Sequence, residues 1–321
     1  MLVAGPMANS QSTLNGGWST NWQGDATDVN LAEYNTILEG IQTVVGMDNV
    51  NYIQGADFDQ LTNDEAAVSA AIDADYIILC LGEFSYCEDS GNLNELDLPD
   101  AQITLAKKLA GTGKPVILVL TEGRPRIFRP IINELGAVLV AFHPGPQGGN
   151  AIAQLIFGDQ NPSGKLAVTY PQYSGSLVPY DHKYTEDRDV WRSGKSYDPQ
   201  FEFGYGLSYT TFSYSNLVIE NKEVSKYGNL EVSFDIKNTG QRPGKEAVGF
   251  YVSDLTASIT PPVKRLRDFE KIYLNPGETK NVKFSIPLRD LAFVGIDNKW
   301  LVEPGEFKVQ VGDLTGVFLV K

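Results

Sequence analysis

Six carboxylates, Glu83, Glu88, Asp89, Glu95, Asp97 and Asp100, crowd the segment LGEFSYCEDSGNLNELDLPDAQ (81–102), and no Lys or Arg follows before Lys107. The segment comes directly after an apolar run, DYIILCL (75–81). Three kinds of chemistry fit that pattern. A solvated acidic loop is the plainest, with Asp97 or Asp100 simply favouring the N-terminus of the next helix. Calcium ligation is a second, although the spacing departs from that of an EF-hand loop. The third is general acid/base work by one carboxyl, which needs a Glu held beside a leaving group, with burial or neighbouring carboxylates favouring its protonated form.

A second segment bears on the choice. NGGWSTNWQGD (15–25) sets Trp18 and Trp22 in a Gly-flanked loop just after the short apolar stretch 2–4. An indole offers a flat apolar face that stacks on the C–H face of a pyranose ring and leaves the hydroxyls free to hydrogen-bond. Core packing is the competing reading for both tryptophans. Arg124 in EGRP (122–125) follows the next apolar run and could position acidic-loop residues, with a structural ion pair as the plainer role.

The elements that must position these loops follow from periodicity. LAEYNTILEGIQTVV (31–45) places Leu31, Tyr34, Leu38, Ile41 and Val45 on one helical stripe. Thr62 to Glu65 has capping-box spacing, with Val68, Ala71 and Ile72 on the face that follows. VNYIQ (50–54), DYIILCL (75–81), PVILVLT (115–121) and AVLVAFH (137–143) read as strands. Helices are expected over about 100–110, between 121 and 137, and over 147–158. Strands alternating with helices imply βαβ units and a parallel sheet covered on both faces.

Residues 159–206 are rich in Pro, Gly, Ser, Tyr and Asp and read as an irregular connection. Beyond them the period changes to two. NLEVSFDIKN (229–238), TKNVKFSIP (279–287) and EFKVQVG (306–312) alternate apolar and polar residues, and Gly- or Pro-containing turns separate them. That pattern predicts a β-sandwich of immunoglobulin or fibronectin type III kind. The expected domains are therefore an α/β sandwich over 1–173, a linker over 174–206 and a β-sandwich over 207–321.

Charge and composition exclude several classes. A net charge of −14 and a pI near 4.6 argue against nucleic acid and anionic membrane as partners, since both reward Lys/Arg patches. A neutral substrate suits that field better. The apolar runs are strand-length, short of the roughly 20 residues that span a bilayer. Cys80 and Cys87 make no disulfide framework, and Cys80 reads as core packing. His143 and His182, the two histidines, have no partner at metal-ligand spacing, so neither metal nor cofactor is expected. The chain opens almost inside an apolar strand, MLVAGP, with no signal peptide ahead of it.

Taken together, GGWS and WQGD, LGE and YCEDSGNLNELDLPDAQ, GRP, PGPQGGNAI with FGDQNPSGKLAVTYP, and FEFGYGLSYTTFSYSNL resemble the C-terminal part of a family 3 glycoside hydrolase. These are mostly β-glucosidases and related exo-acting enzymes. The resemblance extends to ASITPPVKRLRDFEKIYLNPGET (257–279) and implies an α/β sandwich followed by a fibronectin type III-like domain. By motif position it makes Glu88 the catalytic acid/base and Trp22, with Trp18 beside it, the substrate-binding aromatics of the leaving-group side. Glu83 takes an orienting or structural role. The implied substrate is a β-linked glucoside or oligosaccharide, and the implied location is periplasmic or extracellular. The family's nucleophilic Asp sits on a preceding (β/α)₈ barrel of roughly 250 residues, and no Ser-Asp-Trp-type nucleophile motif occurs in this sequence. The abrupt start then reads as a cut, or an independent gene start, at the barrel junction. The expected partner is a barrel domain in cis or trans, and the isolated chain is expected to be inactive. A non-catalytic carbohydrate-binding or assembly module is the alternative.

Overall fold

A computed structural model describes residues 1–26, 32–186, 189–190 and 194–321. They cluster into two compact units, Met1–Gln160 with Pro171–Gly175, and Asn161–Tyr170 with Ser176–Lys321.

The first unit is an α/β fold around one five-stranded parallel sheet. Its strands are β1 (Leu2–Ala4), β2 (Asn51–Tyr52), β3 (Ile77–Gly82), β4 (Val116–Thr121) and β5 (Ala137–Val140), in the order β2-β1-β3-β4-β5. The helices are α1 (Ile37–Val45), α2 (Asp64–Ile72), α3 (Asp100–Ala110) and α4 (Gly148–Phe157). β3 is buried along its whole length, and β1 likewise, which explains why both read as unbroken apolar runs. Cys80 lies fully buried in β3, and burial pushes its thiol well above the ordinary range.

Several local expectations change. The helix expected from residue 31 begins at Ile37, and Leu31 lies outside the described residues. Its start is set by a capping box at Thr36 and Glu39. The Thr36 hydroxyl accepts from the Glu39 amide (3.2 Å), and the Glu39 carboxylate accepts from the Thr36 amide (2.8 Å). The capping box expected at Thr62–Glu65 does not form, because its members are engaged elsewhere. Asn63 Oδ1 accepts from the Gly55 amide (2.7 Å), while Asp64 and Glu65 both pair with Lys108. Nor does α2 bury Ile72, which is 60% exposed; Ala71 faces inward as expected, and Ala67 joins it. Between β4 and β5 stands only a 3₁₀ segment, Arg129–Glu134, with Pro130 near its start.

The second unit is built on two antiparallel-rich sheets. The strands of these two sheets are β6 (Phe212–Ile219), β7 (Glu223–Val224), β8 (Asn229–Asn238), β9 (Gly244–Asp254), β10 (Arg265–Leu274), β11 (Thr279–Pro287), β12 (Gly305–Val311) and β13 (Leu314–Val320). One sheet runs β6-β8-β11 and the other β7-β13-β12-β9-β10. The alternation seen in the sequence is the alternation of faces. Val232, Phe234 and Ile236 of β8, Val282, Phe284 and Ile286 of β11, and Val248, Phe250 and Val252 of β9 fill one core.

The α1 cap makes a direct test. Thr36→Ala should cost about 1 kcal/mol of first-unit stability, whereas exposed Thr62→Ala should stay within about 0.5 kcal/mol. Denaturant titration of the two variants, followed by far-UV circular dichroism, reads the difference.

Candidate active site

In an open parallel sheet, ligands gather beyond the C-terminal strand ends where the strand order reverses, because the loops leaving the two central strands diverge there. In the order β2-β1-β3-β4-β5 that point lies between β1 and β3. The tryptophan loop leaves β1 and the acidic loop leaves β3. Tertiary structure thus sets the two candidate segments side by side.

The acidic loop is clamped at both ends. At its start, Gly82 has φ +149°, and a Cβ there would lie 1.8 Å from the Thr121 carbonyl oxygen. The fully buried Gln102 of α3 holds this glycine as a neighbouring strand would. Its Oε1 accepts from the Gly82 amide and its Nε2 donates to the Gly82 carbonyl, both at 2.9 Å. One residue on, Glu83 is 4% exposed. Its carboxylate accepts from Arg126 Nη1 (2.8 Å), Tyr86 Oη (2.9 Å), the Gly123 amide (3.0 Å) and, more distantly, Arg124 Nε (3.4 Å). At the far end of the loop, the same Arg126 guanidinium donates to the carbonyls of Leu96 (2.9 Å) and Asp97 (2.6 Å). A β-bridge between Asp97 and Ile127 finishes the seam. Arg126 therefore closes a loop whose two ends lie more than ten residues apart in sequence.

Arg124 adopts the structural role foreseen for it: besides meeting Glu83, its guanidinium lies 4.2 Å above the Tyr86 ring. Burial, then the Glu83 carboxylate, push the Tyr86 phenol up to about 12, so it stays a hydrogen-bond donor. Glu122, fully buried, accepts from the Arg126 amide (3.1 Å). Two carboxylates and two guanidiniums thus share this cluster.

Glu88 is arranged very differently from Glu83. It opens a short 3₁₀ turn, Glu88–Gly91, with φ +54°, a left-handed conformation that costs a non-glycine residue about 1 kcal/mol. Its side chain is exposed, and no hydrogen-bond or ion-pair partner reaches its carboxylate among the described residues. The burial anticipated for an acid/base carboxyl is therefore not supplied within this unit. Asp89, Glu95, Asp97 and Asp100 are exposed as well; Asp97 accepts from Ser174 (2.8 Å), and Asp100 sits in the first turn of α3. The solvated-loop reading thus describes most of the acids, though not Glu83.

Trp18 and Trp22 are 71% and 52% exposed, which rules out core packing for both. Their rings lie 6.5 Å apart at 49°, and the Trp18 amide donates to the Trp22 carbonyl (2.9 Å). Trp18, like Glu88, has a left-handed backbone, φ +61°. The two loops are tied together at the residue preceding Glu88: Gln23 Oε1 accepts from the Cys87 amide (2.8 Å). Gly17 permits the approach, since a Cβ there would sit 2.6 Å from Cys87 Cβ. Ser85 adds hydrogen bonds to the carbonyls of Ser12 and Asn15. Phe84, 50% exposed, extends the aromatic surface beside the loop. Sequence reading passed over Arg126, Gln102, Gln23 and Tyr86. The available signal for Arg126 was a second arginine two residues beyond Arg124, just past an apolar strand.

No group of three or more His, Cys, Asp or Glu side chains among the described residues is placed to hold a metal ion. None of the described helices is long and apolar enough to cross a membrane.

Residues 1–209 match the family model for the glycosyl hydrolase family 3 C-terminal domain. The chain belongs to glycoside hydrolase family 3. A fibronectin type III-like domain matches residues 246–315. Among relatives, the chain is 38% identical to a lysosomal β-glucosidase of Dictyostelium discoideum, over 98% of this chain and 40% of that protein. It is 34% identical to a periplasmic β-glucosidase of Salmonella typhimurium, over 97% of this chain and 44% of that protein. Among solved structures, a β-glucosidase from Listeria innocua in complex with glucose superposes with a TM-score of 0.89 at 30% identity. The match covers 99% of this chain and 45% of that one. The chain spans less than half the length of these family 3 relatives.

Two measurements probe the clamp. Arg126→Met leaves a buried carboxylate short of its main partner and should cost about 3 kcal/mol. Amide exchange should rise across 84–97, and adding Glu83→Gln should recover much of the loss. An unchanged exchange pattern would remove Arg126 as the loop's anchor. His143 offers a pH test. Burial, opposed by Glu83, holds its imidazole below the ordinary 6.5. The unfolded chain then binds a proton that the folded one refuses, so stability falls as pH drops below about 6.5. His143→Gln should flatten that part of the stability profile.

Proposed function

We propose that this chain carries the general acid/base side of a retaining β-glycosidase site, with Glu88 as the acid/base and Trp22 and Trp18 as the platform for the leaving-group sugar. The observation that carries the reading is the Glu88 carboxylate, exposed and without a partner among the described residues, held in a left-handed turn and tied through Gln23 to a loop of two exposed indoles. A carboxylate that serves only stability finds partners, as Glu83 does. One kept free of them beside sugar-stacking surfaces remains available to a substrate.

In the proposed reaction, a carboxylate nucleophile on a (β/α)₈ barrel domain, in cis or trans, attacks the anomeric carbon. The Glu88 carboxyl gives its proton to the glycosidic oxygen as the C–O bond breaks, which releases the aglycone as an alcohol. Glu88, now ionised, takes a proton from the water that displaces the glycosyl-enzyme bond. Closure of the barrel domain and substrate over the exposed turn would provide the water-poor surroundings in which this transfer works. The substrate is a neutral β-linked glucoside or oligosaccharide, consistent with the acidic charge of the chain. The β-glucosidases named above support hydrolysis of that class, and the periplasmic one among them supports a periplasmic setting.

The test uses the chain joined to a barrel domain from a relative. The 321-residue chain alone should not hydrolyse an aryl β-glucoside, and the joined protein should. Glu88→Gln should slow hydrolysis of substrates with poor leaving groups by roughly 10²–10⁴-fold. Activated aryl glucosides should still form the glycosyl-enzyme, which azide should then discharge. Equal activity of Glu88→Gln on both substrate types would remove the acid/base assignment and leave a non-catalytic sugar-binding module.

A further inference from the structure

A cleft of about 690 Å³ lies wholly within the second unit, between residues 197–205 and the outward faces of β9 and β12. It shares no residue with the acidic or tryptophan loop. Its volume falls in the range of small-ligand sites. The floor exists because Ala247 and Gly249 alternate with the inward-facing Val248 and Phe250, so positions 247 and 249 add little bulk to the outward face of β9.

The walls supply aromatic faces. Tyr205 stacks on Phe201 with ring centroids 5.0 Å apart and 18° between planes, which fixes the ring while leaving the residue 45% exposed. Tyr251 is half-buried, its ring lying against Gly249 with Lys264 Nζ 5.1 Å from its centroid. The lining is also provided with amides. Gln310 stands directly across from Tyr251 in the β9/β12 register. Gln200 has a buried Oε1 with no hydrogen-bond partner among the described residues.

The charges of the cleft largely satisfy one another. Lys165 pairs with Glu246 at 3.5 Å and donates to the Gly206 carbonyl, while Glu246 also accepts from Tyr214. Lys165 and Lys264 face Asp198, Glu202 and Glu246 in the lining, so no surplus of cations is present to hold an anion. A fixed ring face, amide donors and acceptors and no excess of cations suit a neutral polyhydroxylated chain.

We propose that this cleft is a second glycan-binding site, separate from the acid/base loop, which takes neutral β-linked gluco-oligosaccharides through stacking on Tyr205 and hydrogen bonds to Gln310 and Gln200. The site depends on family 3 membership only for its choice of sugar. It does not depend on the role of Glu88.

The experiment titrates the 321-residue chain with cellotetraose and laminaritetraose, by calorimetry and saturation-transfer NMR. At least one should bind, and binding should persist in the Trp18→Ala, Trp22→Ala double variant, which removes the other candidate platform. Tyr205→Ala should weaken it about tenfold, and Ala247→Leu, which fills the floor from the outward face, should abolish it. Circular dichroism melting checks that each variant is folded, and Ala247→Leu decides if Tyr205→Ala is not. Absence of binding to both sugars would overturn the proposal. So would binding lost only with the tryptophans, or binding that survives Ala247→Leu.

Discussion

The buried pairing of Arg126 with Glu83 is the interaction on which the candidate site rests. A carboxylate at 4% exposure is tolerable only if nearly every lone pair meets a donor, and Glu83 achieves this with a guanidinium, a phenol and a backbone amide. The same guanidinium spans the loop by binding two carbonyls at its far end. The planar fork of an arginine can serve three acceptors in fixed directions, which a lysine ammonium cannot. Because both ends are held, the turn that carries Glu88 can adopt a left-handed conformation that a free loop would relax.

That constraint explains why neighbouring acids in one loop have opposite characters. Glu83 follows the strand end into the protein and is ion-paired there; Glu88 projects outward with no partner among the described residues. Gln102, Gln23 and Ser85 extend the same logic. Each uses a side-chain amide or hydroxyl to bind backbone, joining α3, the tryptophan loop and the acidic loop into one framework. The indoles are consequently exposed but anchored, a combination suited to stacking on a sugar without first having to be ordered.

The two units reach stability by different means. The first buries the central strands β1, β3 and most of β4 and spends its polar side chains on the loops at the C-terminal strand ends. The second alternates apolar and polar residues so strictly that its core is one continuous cluster, which leaves the outward face of β9 free to vary. The small residues at 247 and 249 cost the core nothing, since they point away from it.

Much of the fold was legible in the sequence because it follows from period and polarity. The two buried strands β3 and β4, helices α3 and α4, and strands β8 and β11 all emerged from local patterns, and motif order indicated family 3. The expectations that changed were those where a local pattern had competing partners. Thr62–Glu65 has the spacing of a capping box, yet Lys108 and the Gly55 amide claim its side chains, while Thr36 and Glu39 cap a helix that begins later than its apolar stripe suggested. Glu88, Trp18 and Trp22 were visible as candidates through residue type and motif. Their proximity was not, because it depends on strand order, and nothing local in β1 or β3 says which will be neighbours. Arg126 was hidden for the same reason: its partners lie about thirty to forty residues away in sequence. By itself the sequence determined most of the helices and strands, since those depend on neighbours one to four residues apart. Only tertiary structure decided which charges are buried and paired, because desolvation and its compensation are set by groups that meet when distant strands pack side by side.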